Sequence, residues 1–159
     1  MGQIAGIKPK NIVYIDETGF DEYYSRQYGY SKRGQRIIGK VFGRKIYRTN
    51  LVAGLANGKI VAAKLYRENT SYSLFENWFK KELLPRIKKK SIIVLDNATF
   101  HRKKVLRELA KKRKCHMLFL PPYSPDLNPI EKKWSNTKIF LRHNAKKFAT
   151  LQDAILNYL

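Results

Sequence analysis

From Ser91 to Asp96 the chain reads Ser-Ile-Ile-Val-Leu-Asp, a continuous aliphatic run that ends in an acid. A strand with one wet face alternates apolar and polar residues, so an unbroken run requires a sheet covered on both faces. Cys115 to Leu120 has the same character. Between them, about His101 to Lys114 places Val105, Leu106 and Leu109 on one helical face, with a dense basic face opposite. Strand, helix and strand in that order imply an α/β fold with helices packed on the sheet.

The flanking segments extend this sheet. Asn11 to Asp16 (NIVYID) reads as another buried strand with Asp16 at its C-terminal end, broken by Thr18-Gly19-Phe20. Asp21 to Gly34 is polar and tyrosine-rich, which suits a long loop over the sheet, and Gln35 to Val41 adds part of a strand. Lys45 to Ala56 and Lys59 to Tyr66 are β-type runs joined by Asn57-Gly58, a strong hairpin signal that pairs them antiparallel. Thr70-Ser71 opens a helix with Leu74, Trp78, Phe79 and Leu83 at helical spacing, closed by Pro85 and a basic tail. That spacing assigns Trp78 to the core rather than to a base-stacking platform. A last amphipathic helix runs from about Leu151 to Tyr158.

Leu120 to Glu131 (LPPYSPDLNPIE) behaves differently. Its prolines forbid helix and central strand from Pro121 to about Asp126. Asn128 is then placed as N-cap, Pro129 at the first helical position and Glu131 at N3 of a helix continuing through Trp134 and Leu141. A glutamate at N3 is compatible with a capping box. Taken alone it would read as that cap; two other carboxylates at strand ends, Asp16 and Asp96, shift the reading to a carboxylate presented to a site.

With 159 residues, 43% of them apolar, the chain has the size and composition of one domain, preceded by a glycine-rich, basic leader or junction over Met1 to Lys10. Lys and Arg number 33 against 12 Asp and Glu, a net charge of +21 that favours a polyanionic partner. The basic residues are interleaved with 10 Tyr, 8 Phe and 2 Trp along the chain, which excludes a disordered basic tail and indicates a folded nucleic-acid-binding domain. The single cysteine, Cys115, lies in an apolar run and reads as a buried free thiol suited to a reducing cytosol. No apolar stretch approaches the roughly 20 residues that span a bilayer. The first residues lack a secretory signal, so a cytoplasmic protein with no membrane partner is expected.

In open α/β sheets the functional crevice lies at the carboxyl ends of strands, where Asp16 and Asp96 are expected. Together with Glu131 they form a hard, all-oxygen ligand set that favours Mg²⁺ or Mn²⁺ over zinc. Two such ions roughly 3.5–4 Å apart suit in-line displacement at phosphorus. The basic surface would then offset the repulsion between three carboxylates and DNA.

Three blocks carry a resemblance to a known family. Ile15-Asp16-Glu17-Thr18-Gly19-Phe20, Leu95-Asp96-Asn97-Ala98 with His101, and LPPYSPDLNPIE with Trp134 resemble the signature blocks of the IS630/Tc1/mariner transposases, in their DDE endonuclease domain. The 34 residues between Asp96 and Glu131 match the family's D-34-E arrangement. The resemblance spans about Asn11 to Leu159. It implies a ribonuclease H-like fold, a mixed five-stranded sheet with helices on both faces, and a catalytic triad of Asp16, Asp96 and Glu131 holding two Mg²⁺ or Mn²⁺ ions. It also implies hydrolysis at transposon ends, followed by 3′-OH attack on target DNA, by a protein that commonly acts as a homodimer. Family members carry helix-turn-helix segments ahead of this domain, and the space before Asn11 is too short for them. A separately encoded N-terminal DNA-binding half is one reading, and a remnant or excised domain is another; a nucleoid-associated prokaryotic protein fits the first.

Glu17 adjoins Asp16 on a strand and should face the other way, outside the triad. Asp126 rivals Glu131, although its Pro-Asp setting suits a turn. Asn97 and His101 match the second block and either orient substrate or a metal-bound water, or cap the following helix. Basic groups at Arg86 to Lys90, His101 to Lys104, Lys111 to Lys114 and Lys132-Lys133 are candidates for phosphate contact. Two further functions use the same features: a ribonuclease H-like nuclease or resolvase that cleaves without joining, and a catalytically idle nucleic-acid-binding remnant.

Overall fold

The computed structural model describes residues 11–21, 31–36, 48–98, 101–122 and 124–159. The leader expected over Met1 to Lys10, most of the Asp21 to Gly34 loop, most of the Gln35 to Val41 strand and the start of the Lys45 run lie outside the described residues.

Five strands are present among the described residues: β1 (Ile12–Asp21), β2 (Arg48–Ala56), β3 (Lys59–Tyr66), β4 (Ile92–Leu95) and β5 (His116–Phe119). They form one mixed sheet of order β3-β2-β1-β4-β5. The β1–β2 and β2–β3 pairs are antiparallel, while β1–β4 and β4–β5 are parallel. The hairpin closes as its sequence requires, with Asn57 and Gly58 both at positive φ, 51° and 74°.

Ser71 accepts a hydrogen bond from the Leu74 N–H and so caps α1 (Tyr72–Trp78). A π-helical turn, Phe79–Leu83, follows, and then α2 (Leu84–Arg86), whose first turn tolerates Pro85. The other helices are α3 (Lys103–Lys112), α4 (Ile130–Asn144) and α5 (Leu151–Tyr158). Odd residues of β1, Val13 and Ile15, pack with Trp78, Phe79, Leu83 and Leu106 on one face. On the opposite face Ile130, Trp134, Leu141 and Ile155 of α4 and α5 close a second core over Leu51, Ala53 and Leu55. Cys115 is a buried free thiol in the first core, as its apolar neighbours imply.

One expectation is corrected. Thr18-Gly19-Phe20 does not break β1, which continues to Asp21 because residues 13 to 21 pair throughout with β2. Asp16 is therefore inside a strand, opposite Ala53, and not at a strand terminus.

The second hairpin strand carries a bulge. Between the pairs Val52↔Lys64 and Gly54↔Val61 the register shifts, and Ala62 takes a left-handed φ of 54°. The Trp78 indole N–H donates to the Ala62 carbonyl at 2.6 Å. Trp78 is thus fully buried core, as expected, and it also satisfies a carbonyl that the bulge removes from the ladder. Gly54, beside the bulge, leaves no room for a side chain: an added Cβ would lie 2.9 Å from Leu83 Cδ1 and 3.0 Å from Val61 Cγ2. Gly54→Ala is expected to cost about 1–3 kcal/mol by overpacking. Urea unfolding, with an unchanged slope and a lower midpoint, measures it.

Candidate active site

The parallel register between β1 and β4 sets the site. Ile12, Val13 and Tyr14 lie opposite Ile92, Ile93 and Val94, and pairing then stops. Two residues further along each strand stand Asp16 and Asp96, at equivalent levels on neighbouring strands. Asp16 is 7% exposed, whereas Asp96 lies just past the end of β4 and is half-exposed.

Glu131 comes from the first turn of α4. Two hydrogen bonds fix that turn to β1. Asn128 Nδ2 donates to the Ile15 carbonyl at 3.2 Å, and Trp134 Nε1 donates to Asp16 Oδ2 at 2.9 Å. The expected N-cap is therefore corrected: Asn128 directs its amide at β1, the helix boundary falls at Pro129, and no side chain caps α4. The Asn128 backbone carbonyl still accepts from the Glu131 N–H at 3.1 Å. Among the described residues Glu131 returns no hydrogen bond to Asn128, so the capping box is not formed. Its carboxylate instead lines a cavity of about 500 Å³ together with Asp16, Asp96, Asn97, Pro121, Pro122 and Asn128. Asp126 sits in a 3-10 turn, Pro125–Leu127, and is exposed away from this cavity.

The electrostatics bear the mark of crowded carboxylates. Burial pushes the Asp16 carboxyl up from 3.8 to about 7; the Glu131 charge adds to the rise and the Trp134 hydrogen bond opposes it. Asp96 is held below the ordinary carboxylate range, first by the His101 imidazole facing it and then by the Ala98 N–H. Among the described residues no three acidic, histidine or cysteine side chains form a closed metal-ligand cluster. The donors nonetheless fit a hard cation. All three are carboxylates on one cavity, and the repulsion that raises Asp16 is the kind that a divalent ion relieves.

Asn97 and His101 do not cap α3, whose boundary at Arg102 has no side-chain cap. Asn97 Oδ1 accepts from Lys103 Nζ, and Asn97 lines the cavity. The buried His101 packs on Phe75, with ring centroids 4.3 Å apart, and its Nε2 lies 3.5 Å from Asp96 Oδ1. Glu17 is on the face opposite Asp16, as alternation along β1 requires, with Oε1 3.7 Å from the same His101 nitrogen.

Sequence reasoning overlooked Trp134 as a neighbour of Asp16. The signal was present: Trp134 is three residues after Glu131, on the same helical face. Of the basic groups, several members are engaged within the fold. Arg102 pairs with Glu76 and lies over Tyr72, Arg86 donates to the Glu82 carbonyl, and Arg113 donates to the Leu84 carbonyl. Lys88 to Lys90, Lys104, Lys111, Lys112, Lys114, Lys132 and Lys133 have exposed side chains.

No curated protein matches the sequence. Among solved structures, the Mos1 transposase paired-end complex with left transposon end aligns at a TM-score of 0.65 and 19% identity, covering 84% of this chain and 42% of that one. The Mos1 mariner paired end complex with Mn aligns at 0.65 and 17% identity, covering 86% and 45%. The intasome of simian T-cell lymphotropic virus, in complex with a PP2A regulatory subunit, aligns at 0.57 and 15% identity, covering 96% and 48%. The chain thus spans less than half the length of each, and the shared feature is the fold, the ribonuclease H-like sheet of transposase and integrase catalytic domains. The sequence model of the DDE superfamily endonuclease matches residues 11–153, nearly the whole chain, and the protein belongs to that family.

Proposed function

We propose that the protein is the catalytic domain of a transposase, which cleaves DNA at transposon ends and joins the new 3′-OH to target DNA. One observation carries the reading: Asp16 and Asp96 stand level on adjacent strands, and the first turn of α4 brings Glu131 to the same cavity. Two Mg²⁺ or Mn²⁺ ions held by Asp16, Asp96 and Glu131 would supply the Lewis acidity that activates water or a 3′-hydroxyl and stabilises the leaving oxygen. The protein's own groups do the positioning. Trp134 occupies one oxygen of Asp16 and fixes the rotamer of that carboxylate. His101 faces Asp96 from below the sheet rim, and Asn97 lines the cavity where substrate would lie. Pro121 and Pro122 form a stiff wall that needs no ordering when DNA binds. The exposed lysines would track phosphates and make binding salt-dependent. The mariner resemblance supports action as a homodimer.

Labelled duplex DNA incubated with Mn²⁺ or Mg²⁺ tests the reading. Both nicked and joined products are expected from pre-cut ends. Nicking without joining would favour the nuclease or resolvase, and DNA binding with neither product would favour the idle remnant.

A thermal measurement follows from the crowded acids. Asp16 has a folded value of about 7 against an ordinary 3.8, so it binds a proton more tightly when folded. Its contribution to stability is full below about pH 4 and is lost as pH rises through about 7. Glu17, pushed up to about 8 by burial and then by Asp16 and Asp96, acts in the same direction. A divalent cation favours ionised Asp16, so its stabilising effect should grow across that window. Saturating Mn²⁺ is expected to raise Tm by about 5–10 °C near pH 8, and by about 3 °C less near pH 6. Scanning calorimetry with Mn²⁺ and with EDTA checks both values.

A further inference from the structure

Glu17 has no part in the chemistry just described, yet it is buried in a costly way. Its Oε1 is buried and has no hydrogen-bond partner among the described residues. An isolated buried carboxyl weakens a fold. What it faces is specific. His101 Nε2 lies 3.7 Å from Glu17 Oε1 and 3.5 Å from Asp96 Oδ1, so a single imidazole nitrogen stands between the two carboxylates. The His101 side chain is wholly buried, and Phe75 packs against its ring. The ring therefore has little freedom to turn.

We propose that Glu17 is a positioning residue: through His101 it holds the Asp96 carboxylate in the orientation that receives the divalent ion. Asp96 has left β4, and strand register no longer fixes it. His101, wedged between Glu17 and Phe75, supplies the missing constraint from the face opposite α4. Asp16 is held by Trp134 from one face of the sheet, and Asp96 by Glu17 and His101 from the other. The inference rests on the proposed metal site.

Mn²⁺ binding, followed by the electron paramagnetic resonance of free Mn²⁺, tests it without any need for turnover. Four proteins are compared: wild type, Asp96→Asn, Glu17→Leu and Glu17→Gln. Glu17→Leu keeps the bulk but removes the acceptor, and is expected to weaken Mn²⁺ binding about 10- to 100-fold. Its Tm without metal should be equal or higher, since an uncompensated buried carboxyl is gone. Glu17→Gln keeps an acceptor oxygen toward His101 and should recover most of the affinity. Wild-type affinity in Glu17→Leu, alongside weakened binding in Asp96→Asn, would overturn the inference and leave the metal site standing. Unchanged binding in Asp96→Asn would overturn the metal site itself. Equal losses in both Glu17 variants, each with a fall in Tm, would assign Glu17 a packing role and also overturn the inference.

Discussion

Glu131→Gln is expected to lower metal-dependent DNA nicking and joining by about 10³-fold or more, with folding intact. The size follows from losing a charged ligand worth several kcal/mol of transition-state stabilisation. Intact folding follows from the local structure. Glu131 is exposed, makes no capping bond to Asn128, and leaves the α4 boundary with no side-chain cap to lose. Gln also removes the charge that helps push Asp16 up, so the metal-free variant should match or exceed wild-type stability near pH 8. Gel assays on labelled duplex in Mn²⁺ and Mg²⁺, read beside a melting curve, give both values. An active Glu131→Gln would remove this residue from the catalytic set, whatever the behaviour of Asp16 and Asp96.

Trp134→Phe is expected to reduce activity about 10- to 100-fold near neutral pH, through a group that touches neither metal nor DNA. The indole N–H is a hydrogen bond to a carboxylate, of a kind worth about 1.5–3 kcal/mol. It is also a cause that lowers Asp16 against burial and the Glu131 charge. Without it Asp16 rises above about 7, and a larger fraction is protonated when metal must bind. The deficit should therefore shrink as pH increases from about 6.5 to about 8.5, which a pH–rate profile resolves. Since Trp134 is also fully buried against Ile130 and Leu141, a stability loss of about 1–3 kcal/mol accompanies the change. A loss of activity that stays constant across the pH range would point to that packing defect rather than to Asp16.

Much of this was legible in the residues. The aliphatic run at Ile92 to Leu95 forms a buried strand because a covered sheet accommodates it, and Asn57-Gly58 closed the hairpin because φ-tolerant residues turn there. The expected buried strand at Cys115 to Leu120 is corrected, since His116 to Phe119 pairs at the sheet edge with His116 exposed and the rest half-buried. The three acids came to one cavity because the parallel register sets Tyr14 opposite Val94 and the Asn128 amide ties the start of α4 to Ile15. Two readings failed for a shared reason, that the deciding partner is distant. Thr18-Gly19-Phe20 looks like a break until β2 is present to pair with it. Asn128 looks like a cap until the Ile15 carbonyl, 113 positions away, competes for its amide. The Glu17 to His101 contact was hidden similarly, since alternation gives the face of a strand residue but not what the opposite layer places there.

The origin of the three acids has a consequence for how the protein is made. Asp16 lies on β1 and Asp96 directly follows β4, and these strands pair with each other, so a growing chain can align the two acids once β4 has left the ribosome. Glu131 and Trp134 arrive only with α4, which covers the second core together with α5 near the end of the described chain. A nascent or truncated polypeptide lacking those helices would hold two acids at a bare sheet rim and no third. The acidic triad is thus completed last, and an unfinished chain presents two of its carboxylates without Glu131.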